Sequence, residues 1–316
     1  MRAAYASAIN PDDPLAGLTV GERPEPEVPE DWATVRVRAS SLNHHDLWSL
    51  RGVGLPPDRL PMILGCDAAG VDDDGNEVVV YPVVPDPQDP RGFSLLSERY
   101  QGTLADAVVV PRYNLIPKPS AVSWLDAASL PTAWLTAYRM LTSRGRAEDG
   151  ESVLVQGAGG GVATAAVVLA LALGKRVYAT SRAPAKRERI AELGATAVEP
   201  GARLPERVDV VIETVGAATM DHSLKCAAPF GRIVVSGSTS GNLATVDLRR
   251  VFAMQIEILG SSMGTPGELT ELLDMCATRG IRPVVDSVFG FSEARKAFER
   301  LHSGGVFGKV VLDHTA

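Results

Sequence analysis

The chain has 316 residues, 45% hydrophobic and 22% charged, enough for two hydrophobic cores and too apolar for a disordered chain. A net charge of −7 argues against nucleic acid or an anionic membrane as partner and leaves a small molecule. Cys66, Cys226 and Cys276 are far apart in sequence, which excludes a disulfide framework and every Cys-x-x-Cys metal site.

The opening residues, MRAAYASAINPDD, lack the apolar stretch of a signal peptide, so a cytoplasmic protein is expected. Residues 1–118 read as β-rich, with strands at 34–38 (TVRVR), 77–81 (EVVVY) and 105–110 (ADAVVV) punctuated by Pro, Gly and Asp. Residues 82–102 read as one long loop without regular pattern. Past the IPKPS segment the pattern changes to alternating helix and strand. Residues 125–141 read as helical with a break at Pro131, 152–156 (SVLVQ) as a buried strand, and 161–173 as a helix apolar nearly all round. That apolar run is too short to span a bilayer. A strand at 175–180, a helix at 184–193 stopped by Gly194, and strands at 209–214, 231–237 and 256–260 follow. The tail reads as helix 266–278, strand 284–289, helix 292–301 and strand 307–312. Strands alternating with helices predict a doubly wound parallel sheet.

Between the strand SVLVQ and the apolar helix stands Gly157-Ala158-Gly159-Gly160-Gly161-Val162. A pyrophosphate needs backbone N–H groups free of Cβ obstruction at a helix N-terminus, so Gly157, Gly159, Gly160, Gly161 and Val162 are expected to hold a dinucleotide. An NAD site wants a carboxylate at the end of the next strand. Here that position reads Ser181-Arg182, followed by Lys186, which suits a 2′-phosphate and predicts NADPH.

Taken in order, SSLNHHDLWSLRG (40–52), PMILGCDAAG (61–70), QGTLADAVVVP (101–111), LPTAWLTAYRML (130–141), QGAGGGVATAA (156–166) and GKVVL (308–312) resemble the medium-chain dehydrogenase/reductase superfamily. Within it, the chain is similar to the zinc-independent quinone oxidoreductase branch, although Ala163 replaces the last glycine of that family's turn. The resemblance implies a Rossmann-type doubly wound parallel sheet inserted in a β-rich GroES-like catalytic domain, with the active site in a cleft. The expected division is 1–119 for the first part of the catalytic domain, 120–260 for the dinucleotide-binding domain and 261–316 for the returning tail.

Carried over by motif, the zinc-ligand positions of metal-dependent relatives fall on Asn43, Cys66 and a site near Thr132, of which only Cys66 is a competent ligand. Residues 82–102, where a structural zinc lobe would lie, contain no cysteine. No zinc is therefore expected. What the resemblance implies instead is a zinc-independent oxidoreductase in which NADPH reduces a quinone or an α,β-unsaturated carbonyl. Asn43 and Thr132 are expected to border the cofactor, as are Gly237, Ser238 and Met263; Lys309 either reaches it or lies on the surface. The tyrosine that several quinone and enoyl reductases carry after this entry segment is missing from Arg51-Gly52-Val53-Gly54-Leu55. His45 takes its place as the expected proton donor, with Trp48 and Cys66 in the substrate pocket. An enoyl-thioester reductase and a non-catalytic NADPH sensor are the alternatives. The strand at 256–259 is expected to be a sheet edge that pairs two copies into a homodimer.

Overall fold

The computed structural model describes residues 1–316, and the chain divides into two compact units, Met1–Thr132 with Thr265–Ala316, and Ala133–Gly264. The first unit opens with β1 (Arg2–Ala6), β2 (Leu18–Glu22), β3 (Trp32–Leu42), α1 (His44–Leu50), β4 (Met62–Ile63), β5 (Asp67–Asp72) and β6 (Glu77–Val80). It continues through β7 (Val83–Pro85), β8 (Phe93–Leu95), β9 (Ala107–Pro111), β10 (Leu115–Pro117) and α2 (Trp124–Ala127). The second unit holds α3 (Leu135–Arg139), β11 (Ser152–Val155), α4 (Gly161–Ala172), β12 (Arg176–Thr180), α5 (Pro184–Glu192) and β13 (Thr196–Val198). It ends with β14 (Val208–Glu213), α6 (Met220–Cys226), β15 (Ala227–Val235), α7 (Leu248–Met254) and β16 (Glu257–Gly260). The chain then returns to the first unit as α8 (Pro266–Arg279), β17 (Val285–Gly290), α9 (Ala294–His302) and β18 (Lys309–Asp313).

The main sheet of the first unit runs β10-β6-β5-β3-β18-β17, with β9 also paired to β3. Alternation in β3 buries Val35 and Val37 and leaves Arg36 and Arg38 exposed. These valines pack with Val78, Val80, Val108 and Val110. A second core forms where α9 lays Ala294, Ala297, Phe298 and Leu301, spaced as one helical face, against Leu42, Leu47 and Leu50. Because α2 packs on β3, β5 and β18, residues 120–132 lie in this unit, beyond the boundary expected at 119.

One sequence expectation changes. Residues 82–102 are not a patternless loop: β7 and β8 pair antiparallel, and Asp86 at the turn accepts two hydrogen bonds from Arg99 (3.0 and 2.9 Å). Ion pairing and three-residue strands stabilise the hairpin, and neither leaves a periodic signal. The break expected at Pro131 is present: α2 ends at Ala127. The helical segment restarts at Leu130, so the proline falls in the first turn, where its missing N–H has no partner to lose.

The second unit is a parallel six-stranded sheet in the order β13-β12-β11-β14-β15-β16. Strand order therefore reverses between β11 and β14, the position at which doubly wound sheets open a crevice at their carboxyl ends. Helix α4 buries Ala165, Ala166, Val167, Leu169 and Ala170 completely, as its all-round apolar sequence predicts.

Candidate active site

The glycine turn leaves β11 at that reversal point. Gly157 sits at φ 69°, and a Cβ there would strike Val215 Cγ2 at 2.4 Å. Its N–H donates to Thr180 Oγ1 (2.9 Å), and the Ala158 N–H donates to the Thr180 carbonyl (2.8 Å). Thr180 is thus the brace that shapes the turn. A second brace is the buried Glu213 carboxylate, which accepts from Val215 N (2.8 Å), Gly216 N (3.0 Å), Thr219 Oγ1 (2.8 Å) and Ser223 Oγ (2.6 Å). Gly160 has an ordinary φ of −78°, yet a Cβ built on it meets no protein atom within 4 Å. The space over Gly160 at the N-terminus of α4 is therefore open, where backbone N–H groups and the helix dipole favour an anion.

Around this turn stand the other predicted cofactor residues of the second unit. A Cβ on Gly159 would lie 3.1 Å from Lys186 Nζ, so that ammonium packs over the turn. Ser181 is buried and Arg182 exposed at the end of β12, and no carboxylate follows them there. Arg187 takes a different part: it donates to the Ser181 carbonyl (2.9 Å) and pairs with Glu199, fixing the loop. Gly161 and Val162 open α4 half-buried. Gly237 permits close approach, since a Cβ would meet the Thr214 carbonyl at 2.8 Å. Ser238 donates to Asn242 Oδ1 (2.6 Å), and the Met263 sulfur accepts from Thr136 Oγ1 (3.6 Å).

In the first unit, strand register gathers a second polar cluster. Ser41 on β3 faces Asp67 on β5, and Leu42 faces Val310 on β18, which sets Lys309 beside Asn43. The fully buried Lys309 ammonium donates to the Leu42 carbonyl (2.9 Å), Asn43 Oδ1 (2.6 Å) and Asp67 Oδ2 (3.0 Å). Asp67 Oδ2 also accepts from Ser41 Oγ and Asn43 Nδ2 (2.8 Å each). All three Lys309 protons are engaged within the protein, so it is neither a cofactor ligand nor a surface lysine. Central-strand register, which the GKVVL motif does not display, buries it. Asn43 keeps one uncommitted Nδ2 proton, and Thr132 Oγ1 is buried without a hydrogen-bond partner.

His45, on the first turn of α1, lies in a third cluster. Its Nε2 is 3.3 Å from Glu98 Oε1, and its Nδ1 is 3.5 Å from both Cys66 Sγ and Ser97 Oγ. The other Glu98 oxygen accepts from Arg91 (2.9 Å) and Leu95 N (3.3 Å). Burial works against a charged imidazole here, but the Cys66 sulfur and the Glu98 carboxylate outweigh it and raise the His45 pKa well above its ordinary value. Burial also pushes the Cys66 thiol up while His45 pulls it back, and its sulfur donates to the Leu96 carbonyl (3.2 Å). Cys66 and His45 are thus a coupled pair, to which Glu98 adds its carboxylate. Although burial pushes Glu98 up, His45 and Arg91 hold its carboxyl below the usual range.

Ser97 and Glu98 lie in the stretch read as patternless, and nothing in their sequence context marks them. Cys66 is completely buried beneath Leu96 and Ser97, so it contacts His45 rather than lining an accessible pocket. Trp48 is half-buried and packs on one side against the core formed by Leu47, Leu50 and Phe298.

Asn43, Cys66 and Thr132 do not fit zinc. Asn43 Oδ1 faces an ammonium at 2.6 Å, and a threonine hydroxyl is a poor third ligand beside the single thiol of Cys66. Asp72, Asp73 and Asp74 bring carboxylates together at the surface, where Arg112 pairs with two of them.

Comparison with known proteins finds similarity along nearly the whole chain. Residues 29–120 match the family model of the alcohol dehydrogenase GroES-like domain, and residues 187–312 match that of zinc-binding dehydrogenases. A zinc-type alcohol dehydrogenase-like protein of Schizosaccharomyces pombe is 30% identical over 95% of this chain and 97% of its own. The crystal structure of an NAD-dependent alcohol dehydrogenase superposes with a TM-score of 0.89 at 33% identity, covering 99% of both chains. A 2-octenoyl-CoA carboxylase reductase, solved with NADP and 2-octenoyl-CoA, superposes with a TM-score of 0.90 at 25% identity, covering 98% of this chain and 87% of that one.

Proposed function

Because the chain belongs to the medium-chain dehydrogenase/reductase superfamily, we propose that it is a zinc-independent oxidoreductase that uses NADPH to reduce an α,β-unsaturated carbonyl or a quinone. The observation that carries the cofactor assignment is the pairing of an open cradle over Gly160 with Ser181-Arg182, and no carboxylate, after β12. Gly157–Val162 would hold the pyrophosphate, and Ser181, Arg182 and Lys186 the 2′-phosphate. Bound NADPH would supply a hydride to the substrate carbon.

The protein's part is a proton and a fixed polar frame. The His45 imidazole, with its pKa raised beside Cys66 and Glu98, is the candidate acid. The Lys309–Asp67–Asn43 cluster holds the Asn43 amide rigid at the start of α1, with one N–H left to orient a ligand. The neighbour solved with 2-octenoyl-CoA favours an enoyl thioester among the carbonyl substrates.

No helix is long and apolar enough to cross a membrane. The buried free cysteines support a reducing compartment, the cytoplasm. At the open edge of the second unit's sheet, β16 leaves Ile258 exposed, and Leu248 and Phe252 on α7 are exposed as well. Pairing of that edge with a second copy would give a homodimer, which sedimentation would read directly.

Assays with NADPH and NADH against quinones, enones and enoyl thioesters test the proposal. NADPH oxidation is expected with at least one class, and His45→Ala is expected to lower kcat about 100-fold. Tight NADPH binding without turnover on any substrate would reject the enzyme, and stoichiometric metal in the purified protein would reject zinc independence.

A further inference from the structure

We propose that a pocket between the β13–β14 connection and α6 binds a small phosphate monoester, and that a hydrogen-bond relay ties this site to the glycine turn. The coupling rests on the reading of that turn as the dinucleotide site; the pocket itself does not. The pocket has a volume of about 340 Å³ and is lined by residues 201–207 on one side and by His222, Lys225 and Cys226 of α6 on the other. Its charge is a local exception in an acidic chain. Arg203 and Arg207 are exposed; Arg203 makes no hydrogen bond or ion pair, and Arg207 donates only to the Ala227 carbonyl, at 3.3 Å. Lys225 is paired with Asp221 (2.6 Å), and Glu206, the carboxylate of the lining, is taken up by Arg176 (3.0 Å) and Tyr178 (2.9 Å). Two guanidiniums without a countercharge match the double charge that a phosphate monoester carries near neutral pH, and their forked N–H groups match its oxygens.

Behind the pocket, His222 opens a chain of hydrogen bonds into the sheet. Its Nε2 lies 2.9 Å from the Ala202 carbonyl, and its Nδ1 lies 3.0 Å from Gln156 Nε2. At the other end of that amide, Gln156 Oε1 accepts from Thr180 Oγ1 (2.9 Å), which accepts in turn from the Gly157 N–H (2.9 Å). Every proton in this chain has a fixed place. A carbonyl only accepts, so Nε2 keeps the ring proton and leaves Nδ1 bare. Ser223 spends its proton on Glu213 (2.6 Å), so the Gln156 atom 3.0 Å from Ser223 Oγ is the amide nitrogen. Thr180 takes the Gly157 proton and gives its own to Gln156. The relay therefore runs one way, from the glycine turn to Ala202, and no link reverses alone.

Ala202 is the neighbour of Arg203, so the relay ends in the same loop that carries both guanidiniums. A phosphate held by Arg203 and Arg207 fixes that loop, and with it the carbonyl on which His222 rests. A dinucleotide that fixes Gly157 orders the same chain from the opposite end. Each ligand then binds a relay that the other has already ordered, and the two should favour each other by one common factor, about fivefold.

Inorganic phosphate titrated into the full chain, with and without saturating NADPH, tests the site when the His222 ring is followed by nitrogen-resolved NMR. A saturable shift with a Kd of about 1 mM or below is expected, and it should vanish when Arg203→Gln and Arg207→Gln are combined. That pair of substitutions also separates this pocket from the 2′-phosphate site at Ser181-Arg182. Saturating NADPH should lower the phosphate Kd about fivefold. Thr180→Val should abolish the effect of NADPH, and Thr180→Ser, which keeps the hydroxyl, should restore it. No saturable shift, or a shift that survives the loss of both arginines, would overturn the site. A phosphate Kd indifferent to NADPH, in protein that binds NADPH, would overturn the relay. If NADPH does not bind at all, the reading of the glycine turn fails and the coupling with it, while the phosphate shift still decides the pocket. Thermal unfolding of each variant separates these outcomes from loss of fold.

Discussion

Replacing Lys309 by methionine should destabilise the first unit far more than the loss of one lysine usually does. The side chain is 1% exposed and its partner Asp67 is 0% exposed, so the substitution leaves a carboxylate in the interior with its countercharge gone. Breaking a buried pair from one side costs about 3–5 kcal/mol. For a domain of this size that corresponds to a fall in Tm of roughly 6–20 °C. Asp67 Oδ1 has no hydrogen-bond partner, so only the neutral donors Ser41 and Asn43 on Oδ2 would remain to hold the charge. Removing both charges with Lys309→Met and Asp67→Leu should recover most of the loss, because the uncompensated charge disappears with its partner. Urea unfolding followed by tryptophan fluorescence suits the measurement, since Trp32, Trp48 and Trp124 all lie in this unit. A Lys309→Met loss below about 1 kcal/mol, or a double variant whose loss equals the sum of the singles, would refute the reasoning.

Gly160→Ala should leave stability within about 0.5 kcal/mol, because its φ is ordinary and its Cβ meets nothing, yet weaken NADPH binding at least about tenfold. An unchanged Kd would show that the cradle is not the pyrophosphate site. Arg182→Ala should weaken NADPH about 10- to 100-fold while leaving NADH binding unaltered, and equal effects on both would remove the 2′-phosphate assignment. His314 should make the protein acid-sensitive. Burial holds its pKa at about 4, its Nδ1 has no partner, and Ser40 Oγ meets Nε2 at 2.8 Å. A depressed pKa means that the unfolded chain takes up a proton first, so stability present above the ordinary histidine range is lost as pH falls toward 4. In His314→Gln the loss across that window should shrink, as urea midpoints at stepped pH will show.

How much of this was legible in the sequence depends on how local each feature is. The second unit's strands and helices could be read because continuous apolar runs, a glycine turn and Gly194 as a helix stop are local signals. In the first unit, by contrast, β1, β2 and α1 were not anticipated. The β1–β2 pair is a short ribbon stabilised by what it packs on, and α1 owes its buried face to α9, which lies far along the chain. Two site features escaped for the same reason. Lys309 could not be placed without the register of β18 on β3, and Ser97 depends on a positive φ that serine does not advertise. His45 was visible as a candidate because a titratable side chain stands two residues after Asn43 in the entry motif. Its partner Glu98 was not, because the two meet only when the hairpin folds back.

The strand order of the first unit also has a consequence for biosynthesis. Strand β18 sits between β3 and β17, so an interior strand of that sheet is built from Lys309–Asp313, synthesised after the whole second unit. Until those residues leave the ribosome, the edge of β3 that receives β18 stays open and Asp67 has no ammonium beside it. The second unit is one continuous stretch and can fold while the first still waits. Nascent chains stalled before Lys309 should therefore resist protease across Ala133–Gly264 and be cut readily before it.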